Sequence, residues 1–250
     1  ERVEEELKRL LPPLSCLRMD ADTTRRKNAH WDILEDFKAG NAQVLLGTQM
    51  IAKGLDIPNV TLVGVINADT SLGLPDFRAG ERTFQLLTQV SGRAGRGARP
   101  GKVIVQTYSP DHYAIAAALR GDDSSFCRTE LSFRQEAGYP PFCHLINMVL
   151  TSRGEAHAHS AARALAEILQ PAIKPEDGEL LGPAPAPLSR IKGRYRYHLT
   201  LKTPSLERVA RQIRKALDAY EAFRASYCRH EGISKEDISL TVDVDPATLL

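Results

Sequence analysis

The sequence predicts an α/β domain with a parallel sheet, followed by a smaller α+β domain, and three observations carry that prediction. Short, nearly continuous apolar runs alternate with helix-period segments over roughly the first 120 residues, the pattern of strands connected through helices. Gly138 followed by Tyr139-Pro140-Pro141-Phe142 ends a helix and stiffens its exit, because glycine accepts the left-handed cap and proline lacks the N–H that a helix needs. Beyond that break the periods read strand, helix, strand, strand, helix, strand.

Val3, Leu7, Leu10 and Leu11 mark an opening helix, and Ile33, Leu34 and Phe37 a second. Leu14 to Met19, Gln43 to Gly47, Val60 to Ile66 and Lys102 to Thr107 are apolar runs of the kind shown by strands buried on both faces. Helical stretches follow from Tyr113 to Leu119 and from Phe126 to Ala137. The second domain is expected as strand Leu145 to Leu150, alanine-rich helix Glu155 to Leu169, strand Glu179 to Gly182 and strand Tyr195 to Thr203, then long helix Leu206 to Tyr227 and strand Ser239 to Val244. Pro183, Pro185 and Pro187 read as a connector after the second of these strands. This β-α-β-β-α-β order is the split βαβ, or ferredoxin-like, plan. The expected divisions are residues 1–120, a helical connector over 121–142, and 143–250.

At 250 residues, 42% hydrophobic and 26% charged, the chain supports folded domains and lacks the bias of a disordered segment. Its start has neither the basic region nor the apolar core of a signal peptide, and runs such as Val60 to Ile66 are too short to span a bilayer. The expectation is a cytoplasmic protein, with the missing initiator methionine hinting at an excised fragment. Cys16, Cys127, Cys143 and Cys228 contain no C-x-x-C pair, which points to reduced thiols and no metal site. The net charge of +2 hides a cluster: residues 188–215 hold nine Lys/Arg and one acid, leaving 24 basic and 30 acidic residues elsewhere. A basic region on an acidic body suggests a polyanion partner.

Residues 88–101 read T-Q-V-S-G-R-A-G-R-G-A-R-P-G. Continued as a helix from about Arg82, they place Gln89, Arg93 and Arg96 within roughly 60° on one face. Gly92 and Gly95 each cost a helix roughly 1 kcal/mol relative to alanine, so they suggest a surface kept bare for a bulky anion. Guanidinium forks bind phosphoryl oxygens bidentately and stabilise charge in phosphoryl transfer. A second candidate runs from Val44 to Pro58 and includes Gly47-Thr48 and Gly54-Leu55-Asp56 at the carboxyl end of a strand, where open α/β sheets collect ligands. Asp56 reads either as a partner for an arginine or nucleotide hydroxyl, or as a turn aspartate. Arg18 and Asp20 end another strand and are weaker candidates, since Asp22 or Thr23 there suits a helix cap. There is no G-x-x-x-x-G-K-[ST] loop and no obvious acidic magnesium pair, so the chain is not expected to hydrolyse ATP alone.

In the second domain Arg190, Lys192, Arg194 and Arg196 alternate with Tyr195 and Tyr197, a mixture of cations for phosphates and rings for bases that equally suits a solvated hairpin. Arg208, Arg211 and Lys215 line one face of the following helix, with Leu206, Val209, Ile213 and Leu217 on the other.

Gln89 to Arg96 resembles motif VI of superfamily 2 helicases, and Leu45 to Val60 resembles motif V. The wording at Arg18 to Thr24, Pro75 to Arg82, Gln106 to Tyr108, Tyr139 to Phe142 and Asp243 to Pro246 is similar to the primosomal protein N′ (PriA) family of bacterial replication-restart DNA helicases. The resemblance implies a RecA-like second helicase lobe with motifs IV to VI, then a C-terminal DNA- and protein-binding domain. It implies catalytic roles for Arg93, Arg96 and Gln89, with Arg96 and Arg93 as arginine fingers, and nucleotide binding at Gly54 and Asp56. It places Thr48 and Gln49 toward single-stranded DNA. Leu55, Ala21 and Ser91 depart from the family's His, basic residue and Ala.

The implied cofactors are ATP and Mg2+, held mainly by a first lobe outside this chain, and Zn2+ in a family insertion also outside it. The implied partners are single-stranded and branched DNA, single-stranded DNA-binding protein and primosome proteins, acting on a monomer in the bacterial cytoplasm near the nucleoid. An acidic peptide tail would suit Arg208, Arg211 and Lys215. The implied activity is ATP-driven 3′-to-5′ movement at abandoned forks; a non-motor nucleic-acid-binding module and another superfamily 2 translocase remain as alternatives.

Overall fold

The computed structural model describes residues 2–20, 29–48, 51, 57, 60–92 and 100–250. They fall into two compact units, one formed by Glu1–Leu72 with Glu81–Phe126 and the other by Gly73–Gly80 with Cys127–Leu250. The change of unit after Phe126 lies inside a helix, and the short excursion at 73–80 has no signature in the hydrophobic periods.

The first unit runs α1 (Arg2–Leu10), β1 (Cys16–Met19), α2 (Ala29–Lys38), β2 (Val44–Gly47), β3 (Leu62–Val65) and α3 (Asp69–Leu72). It continues with α4 (Ala79–Ser91), β4 (Lys102–Val105), α5 (Tyr113–Arg120) and the start of α6 (Asp123–Glu136). Its described strands form two parallel ladders, β1 with β2 and β3 with β4. In the first, Met19 and Leu34 are buried with Ile33 and Leu45 against them, so α2 covers the pair it connects. In the second, Val65 and Val105 pack on Phe84, Leu87, Ala114, Ile115 and Phe126, and the Phe84 and Phe126 rings stack 4.0 Å apart.

The expectation of burial on both faces fails for β3 and β4. Residues alternate between half-buried and exposed along each strand, and Leu62 and Ile104 are 58% and 50% exposed. The core of α4 and α5 takes only the valine side of the pleat. Continuous apolar runs cannot reveal this, because they carry no period-two contrast.

The second unit is a four-stranded antiparallel sheet, β5 (His144–Ser152), β6 (Glu179–Ile191), β7 (Arg194–Thr203) and β8 (Ile238–Val244), with α7 (Glu155–Leu169) and α8 (Leu206–Glu231). The strand order is β6-β7-β5-β8, so the β-α-β-β-α-β plan closes in its ferredoxin-like form. β5 pairs throughout with β7 and β8, from His144 opposite Thr203 to Ser152 opposite Ile238. Ile146, Met148, Leu150, Leu199 and Leu201 turn to one face and meet Ala161, Ala162, Leu165 and Leu169 of α7 and Val209, Ile213, Ala216 and Tyr220 of α8. The alanines of α7 let that helix approach closely, while each fully buried leucine contributes about 1.5–3 kcal/mol.

Two expectations need correction here. The prolines expected as a connector lie within β6, which extends to Ile191. β6 is an edge strand with register shifts between Leu181 and Ala184 and between Pro185 and Arg190, the place where missing N–H donors are tolerated. α8 continues past Tyr227 to Glu231, because its stop is Gly232, whose left-handed φ of 67° lets its N–H return to the Cys228 carbonyl.

The excursion 73–80 joins the second unit through Asp76, which is 8% exposed. Its Oδ2 accepts from Thr248 Oγ1 at 2.7 Å and the Leu249 N–H at 3.1 Å, and its Oδ1 accepts from the Arg78 N–H at 2.9 Å. Next to it the Phe77 ring stacks on Tyr139 with centroids 5.2 Å apart and planes nearly parallel. The guanidiniums of Arg78 and Arg134 each sit 5.2 Å from its centroid.

Inside the main core the Tyr220 hydroxyl is buried with no hydrogen-bond partner among the described residues. A buried hydroxyl left unpaired costs about 1–3 kcal/mol. Tyr220→Phe is therefore expected to raise stability by about 1 kcal/mol, read as a higher urea midpoint at unchanged slope. A lower midpoint would mean the hydroxyl is satisfied.

Candidate functional site

Among the sequence-derived candidates of the first unit, Arg93, Arg96, Gly54, Asp56 and Gln49 lie outside the described residues. Thr48 is exposed, one residue beyond the end of β2, with its carbonyl accepting the Ile51 N–H at 3.1 Å. Gln89 is exposed on the last turns of α4 while Phe84 and Leu87 hold that helix in the core. α4 ends at Ser91, and Gly92 carries the chain out of it. Arg18 and Asp20 pair with each other at 2.6 Å, and Glu4 lies 3.6 Å from Arg18.

β3 and β4 carry polar residues at their carboxyl ends that the sequence reading left without a role. Asp69 accepts from Thr107 Oγ1 at 2.8 Å and from the Tyr108 N–H at 2.9 Å, and Ser109 N–H donates back to Thr107 Oγ1 at 2.9 Å. The Tyr108 N–H, against the opposing effect of burial, holds the Asp69 carboxyl below the ordinary aspartate range, with help from Thr107. The available signal was positional: both segments directly follow strands of one parallel ladder.

In the second unit β7 separates charge from aromatic surface. Because successive residues point to opposite faces, Tyr197 joins the helix-covered core, while Arg194, Arg196, His198 and Lys202 fall on the other face. Tyr197 is thereby withdrawn from the expected mixture of cations and stacking rings, while Tyr195 keeps a cation beside it. Arg190 lies over the Tyr195 ring at 4.8 Å, and Lys192 is exposed at the hairpin tip. The tip is Lys192-Gly193, with φ of 49° and 78°; two left-handed residues match the twist of the strands they join.

Arg194 is occupied. Its Nε donates to Thr151 Oγ1 at 3.0 Å and its Nη2 to the carbonyls of Thr151 at 3.2 Å and Asp237 at 2.8 Å. Arg196 makes one such bond, to the Leu188 carbonyl at 3.1 Å. His198 beside it is pushed toward the neutral form, by burial first and by Arg196 second.

Arg208, Arg211 and Lys215 stand exposed on one face of α8. None forms an ion pair with another described residue, whereas Arg163 and Arg224 pair with Glu167 and Glu221 at 2.8 and 2.6 Å. Residues 208, 211 and 215 thus form an unneutralised basic stripe opposite buried Val209, Ile213 and Ala216. No group of three His, Cys, Asp or Glu among the described residues could hold a metal ion. No described helix is long and apolar enough to cross a membrane.

Comparison with known proteins completes the picture. Residues 1–98 match the helicase conserved C-terminal domain, and residues 135–247 match the primosomal protein N C-terminal domain. The whole chain is 44% identical to the replication restart protein PriA of Bacillus subtilis (strain 168). The chain belongs to the PriA family. PriA of Synechocystis is 41% identical over 249 residues and that of Treponema pallidum 40% over 250. The chain spans about a third of the length of these relatives, covering 30%, 28% and 36% of them. Within the PriA frame the parallel ladders are the RecA-like half and the antiparallel sheet the C-terminal domain.

Two outcomes follow from this geometry. Arg194→Ala is expected to lower stability by about 1–3 kcal/mol, since charged hydrogen bonds to half-buried carbonyls are lost, while Lys192→Ala stays within about 0.5 kcal/mol; denaturant unfolding of both variants checks it. Asp69, with its pKa depressed, keeps its bonds to the 107–109 loop above its ordinary pKa and loses them as pH falls through the lower folded value. The Tyr108 amide proton should therefore titrate by NMR with a midpoint below the ordinary aspartate value, and a midpoint at or above it would contradict the arrangement.

Proposed function

We propose that this chain is the second motor lobe and C-terminal domain of an ATP-dependent 3′-to-5′ DNA helicase that remodels stalled forks and begins primosome assembly in replication restart. The observation that carries the reading is likeness across the full chain: 44% identity over 250 residues to a replication restart protein, with a helicase domain and a primosomal domain matched in succession. ATP supplies the driving energy when bound with Mg2+, chiefly in a first lobe with a phosphate-binding loop this sequence lacks. Arg96 and Arg93 reach its terminal phosphate, Gln89 orients beside them, and Gly54 and Asp56 adjoin the nucleotide. Thr48 and Gln49 hold the single strand. Closed and open states bind nucleotide with different affinity, and that difference drives movement.

The C-terminal domain meets branched DNA through Arg190, Lys192 and Arg196, with Arg194 holding the hairpin in place. The free stripe of Arg208, Arg211 and Lys215 receives an acidic tail from single-stranded DNA-binding protein. The exposed, unpaired state of that stripe supports a polyanionic partner, since paired cations would first have to give up their ion pairs.

With the first lobe joined to this chain, Arg96→Ala is expected to reduce DNA-stimulated ATP turnover by about 10³-fold or more, the usual worth of an arginine finger. Unchanged turnover in that variant would make the chain a nucleic-acid-binding module with no motor role.

A further inference from the structure

The carboxyl ends of β3 and β4 border a cavity open to solvent, of about 120 Å³, lined by Ile66, Asn67, Asp69, Gln106, Thr107 and Tyr108. None of the residues assigned above to phosphate, DNA or partner lines it. Its backbone is fixed: Asp69 ties down Thr107 and Tyr108, and its own N–H donates to Asn67 Oδ1 at 2.9 Å. On this pinned loop the Tyr108 side chain is 89% exposed. A ring presented so openly by a rigid loop contributes little to the core and offers a flat apolar face to a ligand.

The remaining polar groups point to the kind of ligand. Among the described residues the Asn67 amide nitrogen and the Gln106 side-chain amide have no hydrogen-bond partner, so a donor and a donor–acceptor pair remain available. Asp69, kept ionised by the Tyr108 N–H, repels phosphates and carboxylates. The occupant is then uncharged, planar and edged with donors and acceptors. The volume holds about four waters' worth of material, on the order of one ring system and far short of a whole nucleotide.

We propose that this cavity is a nucleobase site, in which Tyr108 stacks on the base and the Asn67 and Gln106 amides hydrogen-bond its edge. The assignment rests on the reading that the chain works on nucleotide and DNA. A base of this description comes either from an unpaired DNA strand or from the adenine of a free nucleotide.

Photocrosslinking separates the two sources. The 250-residue chain is irradiated with oligothymidylate carrying one 5-iodouracil and, separately, with 8-azido-ATP, and the adducts are mapped by mass spectrometry. An adduct at Tyr108 from the oligonucleotide assigns the site to the strand; one from the azide assigns it to adenine. In either case Tyr108→Ala should remove the adduct and weaken binding of that probe by about tenfold or more, while Tyr108→Trp retains both. A thermal melt matching the parent chain confirms that the exposed substitution leaves the fold intact. Labelling by neither probe within residues 66–69 and 106–108, or undiminished binding of both probes by Tyr108→Ala, overturns the proposal. Indifference of ATP turnover to Arg96→Ala would sink the motor reading and leave this result standing.

Discussion

A pleated strand sends neighbouring side chains to opposite faces, and that constraint organises both units. Along β7 it delivers Tyr197, Leu199 and Leu201 to the helices and Arg194, Arg196 and His198 to the reverse face. Along β3 and β4 it gives Val65 and Val105 to the core and leaves Leu62 and Ile104 in contact with solvent. The hydrophobic term is proportional to area removed from water, so only one side of the β3 and β4 pleats contributes substantially to holding the first unit together. Chemistry is displaced to strand ends, hairpin tips and exposed helix faces.

What could be read from the chain follows from how much local signal each element carries. α7 was legible to the residue, since Glu155–Leu169 has a helical period bounded by Gly154 and a following strand. The ends of α8 and β6 were misjudged for opposite reasons. The helix ran on to Gly232, a stop that sits beyond its apolar stripe, and the prolines of β6 looked like a break because sequence cannot show that a strand lies at a sheet edge. The separation of Tyr197 from the cations was visible in the alternation itself, yet composition suggested a wholly mixed surface. Asp69 and Asp76 stayed opaque because their partners are 38 and 172 residues away, and no periodicity reports a contact at such range.

The basic residues differ less in number than in commitment. Arg134 is nearly buried against Glu130 at 2.6 Å, and Arg194 spends its donors on carbonyls. Such groups hold structure and would expose unsatisfied partners if withdrawn. Arg208, Arg211 and Lys215 keep their charge directed outward, at small cost in water. Sorting cations this way narrows the candidate DNA- and protein-facing residues of a PriA-family domain more sharply than their clustering in the sequence does.

The bond from Asp76 to Thr248 and Leu249 also bears on how the polypeptide is made. Its two ends are 172 residues apart, an interval of roughly ten to thirty seconds at ordinary ribosomal speed. Throughout that interval a carboxylate destined for the interior stays hydrated, and the adjoining phenylalanine lacks its stacking partner until Tyr139 emerges. The second unit therefore cannot finish assembling co-translationally in order from its start. Its earliest piece waits for residues 248 and 249, and a ribosome stalled before reaching them would leave that piece available to chaperones.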